Sequence, residues 1–209
     1  MSTVSSHNRS QNAVASQSTL SRCQHDLCSP EPLLCSGCPA LTQCPRWLKG
    51  RTLVVDDHEN LVGGPGELDD DTDVIEAGAI WQLLSDVCSL TDWDQVVIGL
   101  SSYSAKKWME KLPLDKVQLV IGDGPDGADK ALIDAVDVNH VAHRFDSVVI
   151  ASGDHIFAET AAALRRAGVQ VYNITSSRSG ASKCLAAACG VHARLKVGPV
   201  VKREWTVAA

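Results

Sequence analysis

From Arg51 onward, short runs of β-branched and other apolar residues alternate with longer stretches of helical pattern. That rhythm restricts the chain to repeated βα units wrapped around a mostly parallel sheet. The apolar runs are TLVVD at 52–56, QVVIGL at 95–100, VQLVIG at 117–122, SVVIA at 147–151 and VQVYN at 169–173. Most positions within them are apolar, as befits strands covered by helices on both faces. Helices are expected at 73–88, 102–111, 127–142, 155–167 and 179–189. In the first, Ile75, Ala79, Leu83 and Val87 recur at four-residue spacing and define its expected buried face. The expected fold is α/β, a three-layer α/β/α arrangement with a mostly parallel five-stranded sheet. A chain of 209 residues has room for one such domain and a tail.

The flanks read differently. Residues 1–22 are rich in Ser, Thr, Gln and Asn and carry too little apolar surface to offset ordering entropy, so a disordered tail is expected. Residues 23–48 hold Cys23, Cys28, Cys35, Cys38 and Cys44, enough thiolates for a tetrahedral Zn²⁺ site. An iron–sulfur cluster and a plain linker are the alternatives. Cys88, Cys184 and Cys189 fall in helical patterns, where buried thiols are expected. The domain is bounded at 51–192, and 193–209, with Gly198 and Pro199, reads as an irregular tail. No stretch approaches the roughly 20 apolar residues of a membrane span, and no basic region followed by an apolar run opens the chain. A cytoplasmic location without a membrane partner is therefore expected, and a homo-oligomer is compatible with the sequence.

The net charge of −6 argues against binding nucleic acid by global attraction. Charge is unevenly placed, however, at −11 over residues 1–143 and +5 over 144–209. Open parallel sheets bind ligands beyond the carboxyl ends of their strands. Reading those positions yields Asp56, Asp57, His58, Glu59 and Asn60 after the first run, Asp123, Asp126 and Asp129 after the third, and Ser152, Gly153, Asp154 and His155 after the fourth. Crowded carboxylates repel, and a divalent cation with a preference for hard oxygen ligands, Mg²⁺ or Mn²⁺, relieves that repulsion. Asp129 and Asp154 also stand where helices begin, so N-capping is a competing explanation for each. Glu67, Asp69, Asp70, Asp71 and Asp73 form a charge run that suits a solvated loop before a helix. His58 and His155 lie beside the acids as lesser candidates for proton transfer.

Three motifs carry a resemblance. Asp57-His58-Glu59-Asn60-Leu61 after an apolar strand resembles the D-x-x-N signature that opens NYN domains, a branch of the PIN-like ribonucleases. Gly127-Ala128-Asp129 is similar to the family's second motif, and Ser152-Gly153-Asp154 with Phe157 to its third, an SGD turn. The resemblance spans about 51–192. It implies a metal-dependent endoribonuclease, with Asp57, Asp129 and Asp154 as metal ligands and Asn60 placing a metal-bound water or a phosphate. Asp134 is a further carboxylate on the same helix. Where family members often read SGDxDF, Ile156 replaces the second Asp. That departure motivates an alternative, a catalytically weakened module that binds RNA or protein.

Single-stranded RNA is the expected partner, with Lys106, Lys107, Arg178 and Lys183, and beyond them Arg194 and Lys196, as candidate phosphate contacts. A receiver-like phosphoacceptor domain is a third reading, prompted by Asp56-Asp57 and Asp123. It is disfavoured by Asn173-Ile174-Thr175-Ser176, where receivers carry a Lys.

Overall fold

The first strand, β1 (Thr52–Asp57), is buried along its whole length and becomes an interior strand of the sheet. The structure, a computed structural model, describes residues 48–63, 70–196 and 204–207. The tail expected at 1–22 and the five cysteines of the expected zinc segment lie outside the described residues. Around β1 the strands β2 (Gln95–Leu100), β3 (Gln118–Ile121), β4 (Ser147–Ala151), β5 (Gln170–Ser176), β6 (Val191–Lys196) and β7 (Glu204–Val207) pair in the order β3-β2-β1-β4-β5-β6-β7. All neighbouring pairs are parallel except β6 with β7.

The mostly parallel α/β expectation is therefore met, and all five expected strands are present, but the sheet has seven among the described residues. Both additional strands lie in the C-terminal region beyond the expected helix, largely in the stretch read as an irregular tail. Strand β6 was missed because it is not a continuous apolar run. Its sequence, VHARLK, alternates apolar and polar residues, with Ala193 and Leu195 buried and Arg194 and Lys196 exposed.

Side-chain alternation along β1 divides the core into two layers. Val54 joins an apolar layer with Ile80, Leu84 and Trp108, on the side of α1 (His58–Val62), α2 (Asp70–Cys88) and α3 (Ser102–Trp108). Leu53 and Val55 point the other way, into a layer with Leu132, Val141, Leu164 and Leu185. That side is covered by α4 (Gly127–Asp134), α5 (Val138–Arg144), α6 (Ala158–Arg166) and α7 (Lys183–Ala188). The same period of two sends the adjacent acids Asp56 and Asp57 to opposite faces.

Helix details depart from expectation for physical reasons. The buried stripe of α2 runs through Ala77, Ile80, Leu84 and Val87, whereas Ile75 and Ala79 are exposed. A strict four-residue row drifts by about 40° per step on a helix with 3.6 residues per turn, so its N-terminal end leaves the buried face. The single helix expected at 127–142 is two, α4 and α5, because Asp137 caps a new helix by accepting from Asn139 N at 2.9 Å and His140 N at 3.0 Å. Cys184 is exposed, while Cys88 and Cys189 are buried as expected. Burial pushes the Cys189 thiol up to about 12.

The strand order reverses direction between β1 and β4, which opens a crevice at the carboxyl ends of those two strands. Gly122, just after β3, packs directly on the backbone of Gly127 at the start of α4, with no room for a Cβ. Gly122→Ala is therefore expected to cost about 1–3 kcal/mol or more, because backbone cannot yield as a side chain does. A fall in the urea midpoint at constant slope checks this, and an unchanged midpoint contradicts it.

Candidate active site at the carboxyl ends of the strands

Asp57 ends β1 and points toward α4. Its Oδ1 accepts from Asn60 N at 3.3 Å, capping α1, and its Oδ2 accepts from the Ser152 hydroxyl at 2.7 Å. Gly63, at φ 109°, ends that five-residue helix. Asp129 sits inside the first turn of α4 and is half-buried. Capping does not account for Asp129, because the cap position is Asp126, three residues earlier. Asp154 does cap: its Oδ1 accepts from Ile156 N at 3.0 Å, and His155 Nδ1 lies 2.8 Å from the same oxygen.

Electrostatics link the three acids in series. Burial raises the Asp57 carboxyl well above the usual carboxylate range, and the charge of Asp129 raises it further, against opposing hydrogen bonds from Ser152 and Asn60. Asp129 is raised by burial and then by the charge of Asp154, while a hydrogen bond with Asp57 opposes that rise. Without a cation, Asp57 and Asp129 are thus a carboxyl pair that favours retaining a proton. Asp129 is the middle member, between Asp57 and Asp154.

Asp57 and Asp129 border a cleft of about 370 Å³ whose lining also includes Glu59, Asn60, Asp126 and Arg178, whereas Asp154 stands outside that lining. Among the described residues, no three His, Cys, Asp or Glu side chains are disposed to enclose one ion. Mg²⁺, however, is commonly bound through one or two carboxylates, keeps several waters, and takes further ligands from substrate phosphates. The Asp57–Asp129 pair fits that donor requirement, with hard oxygens whose mutual repulsion a cation would relieve.

Other expected site residues are distributed as follows. Asn60 lines the cleft, but its side-chain oxygen accepts from Gly153 N at 2.8 Å, so it braces the turn after β4. Asp134 is exposed at the far end of α4 and does not border the cleft. His58 is fully buried on the opposite face of β1, where its ring nitrogens meet Asp56 Oδ2 and the Ala77 carbonyl, each at 3.0 Å. Burial lowers the His58 pKa, but the charge and hydrogen bond of Asp56 outweigh it, and the net shift is upward. With its ring nitrogens engaged by Asp56 and the Ala77 carbonyl, His58 is a buried structural group that does not border the cleft. His155 is largely exposed beside Asp154.

Of the candidate phosphate contacts, Arg178 borders the cleft, whereas Lys106, Lys107 and Lys183 do not. Lys106 and Lys183 are exposed, as are Arg194 and Lys196, and Lys107 Nζ lies 5.7 Å from the centre of the Tyr103 ring. Arg178 itself forms a two-pronged ion pair with buried Glu76 on α2. Nothing in the sequence signals this pairing, because the partners are 102 residues apart. Ser152 and Glu59 were also given no individual role by sequence. Ser152 Oγ donates to Asp57 and accepts from Asp154 N at 3.0 Å, and Glu59 Oε1 accepts from both the N–H and the hydroxyl of Ser101.

A parallel α/β sheet with an acid-lined cleft at its switch point and an SGD turn after β4 is a PIN-like, ribonuclease-type domain. The NYN domain family profile matches residues 76–195, and the chain belongs to that family. Asp129 and Asp154 fall inside the match, and Asp57 and Asn60 precede it. None of the curated proteins matches the chain.

Two outcomes follow from these interactions. A carboxyl raised in the folded state binds its proton more tightly than in the unfolded chain, so its ionisation destabilises the fold as pH rises above about 4. Asp57→Asn should therefore stabilise the metal-free protein at neutral pH and flatten the loss of stability on going from pH 4 upward. Thermal melts across that range would show it, and an equal or lower melting temperature at neutral pH would count against the paired acids. Arg178→Ala should cost about 1–3 kcal/mol in urea unfolding by stranding buried Glu76, where a free surface arginine would cost almost nothing.

Proposed function

We propose that the chain is a metal-dependent endoribonuclease that hydrolyses phosphodiester bonds of single-stranded RNA at this cleft. The observation that carries the reading is the proton-retaining Asp57–Asp129 pair, flanked by Asp154, at the switch point of an NYN domain. Asp57 and Asp129 would hold Mg²⁺ or Mn²⁺. When bound, such an ion supplies a water of lowered pKa and offsets charge on the phosphate. For the chain's own part, Asp57 and Asp129 give up their retained proton on loading. Asp154 orients the attacking water through the carboxylate oxygen that does not cap. Arg178, braced by Glu76, faces the RNA phosphate at the cleft, with Lys106 farther out on α3.

The Ile156 substitution favours a second reading, a module that binds RNA without cutting it. Against that reading, Ile156 packs with the apolar layer beneath α6 and α7, so a core contact accounts for its side chain.

Incubation with end-labelled single-stranded RNA decides between them. The expected result is internal cleavage in Mg²⁺ or Mn²⁺, none in chelator, and a loss of at least about 100-fold for Asp57→Asn or Asp129→Asn in folded protein. Retention of RNA binding with no cleavage in any divalent metal would establish the binding module instead.

A further inference from the structure

Asn173 lies in the middle of β5, in a strand whose neighbours Tyr172 and Ile174 are buried, and is itself 1 % exposed. Burying an amide there is costly unless its hydrogen bonds are met, so the partners indicate what it does. Its Nδ2 donates to two carbonyls of the adjacent strand and turn, Ile150 O at 3.0 Å and Ser152 O at 2.8 Å. Strand β4 ends at Ala151, so Ser152 O lies beyond the strand that pairs with β5.

The Ser152–Gly153 peptide is held at its other pole as well, because Gly153 N donates to Asn60 Oδ1 at 2.8 Å. One peptide plane is therefore clamped between two asparagine side chains, one from β5 and one from α1. The neighbouring atoms tighten the clamp. Gly153 O accepts from Ser182 N at 3.0 Å, and a Cβ on Gly153 would run into the backbone of Gly180. The next residue in the chain is Asp154.

We infer that Asn173 is a positioning residue for the cleft: by fixing the carbonyl pole of the Ser152–Gly153 peptide it sets the backbone that carries Asp154 and holds the Ser152 hydroxyl on Asp57. This rests on the nuclease reading for its catalytic consequence, whereas the clamp itself does not. Asn173 touches neither substrate nor ion and acts through the backbone of the turn.

The test uses the full chain with Mn²⁺, comparing Asn173→Leu, which keeps the branched shape and removes the donors, with Asn173→Thr, which keeps one donor. The expected result for Asn173→Leu is a kcat for RNA cleavage lowered 10- to 100-fold, the scale typical of groups that orient metal-site residues, with KM within about twofold of wild type. Asn173→Thr should recover part of kcat. Wild-type kcat in folded Asn173→Leu, or a loss that appears in KM alone, would overturn the inference. Should Asn173→Leu not fold, amide exchange at Gly153 in Asn173→Thr decides: about tenfold faster exchange than wild type supports the clamp, and unchanged exchange overturns it. If wild type does not cleave RNA while Gly153 exchange still responds to Asn173→Thr, the nuclease reading fails and the clamp stands.

Discussion

Repulsion between carboxylates that the fold forces together is the constraint on which the cleft depends. Asp57 comes from the end of β1, Asp129 from the first turn of α4 and Asp154 from the turn after β4. The chain brings them together at a point where strand order reverses and helices cannot cover the sheet. Burial and mutual charge together raise the carboxyls of Asp57 and Asp129 above the usual carboxylate range. Every other feature of the site either creates this crowding or contains it.

Containment comes from close backbone approach and from buried polar groups. Gly122 against Gly127 brings the start of α4 onto the end of β3, and Gly153 against Gly180 brings the turn after β4 onto the loop before α7. Neither approach leaves space for a side chain. On the reverse face of β1, the buried Asp56–His58 pair balances its charges locally, with His58 meeting Trp108 edge-on at 5.8 Å. Two adjacent aspartates in one strand thus have different fates set only by side-chain alternation. Asp56 is neutralised by a partner, and Asp57 is left facing another acid.

Much of this was legible in the sequence, and the limits are instructive. The five apolar runs located β1 to β5, and the polar residues after their ends placed Asp57, Asp129 and Asp154 at the carboxyl-end rim of the sheet. Strand β6 was also legible, since Val191, Ala193 and Leu195 alternate with His192, Arg194 and Lys196, but searching for continuous apolar runs passes over it. The break between α4 and α5 was signalled by Asp137, a good cap inside a helical pattern. Other features had no local trace. Residue type alone does not reveal that Asn60 spends its oxygen on Gly153, that Arg178 is claimed by Glu76, or that Asn173 reaches past the end of β4. Each depends on which distant backbone or side-chain group the fold brings within hydrogen-bond reach.

If the Asp57–Asp129 pair exchanges its proton for a divalent cation, diffraction at the manganese absorption edge from crystals soaked in Mn²⁺ will show it. The expected result is an anomalous peak in contact with carboxylate oxygens of both Asp57 and Asp129, and absent in crystals of Asp57→Asn. A cleft that stays free of anomalous density at saturating Mn²⁺, or a peak held by other residues alone, would contradict it.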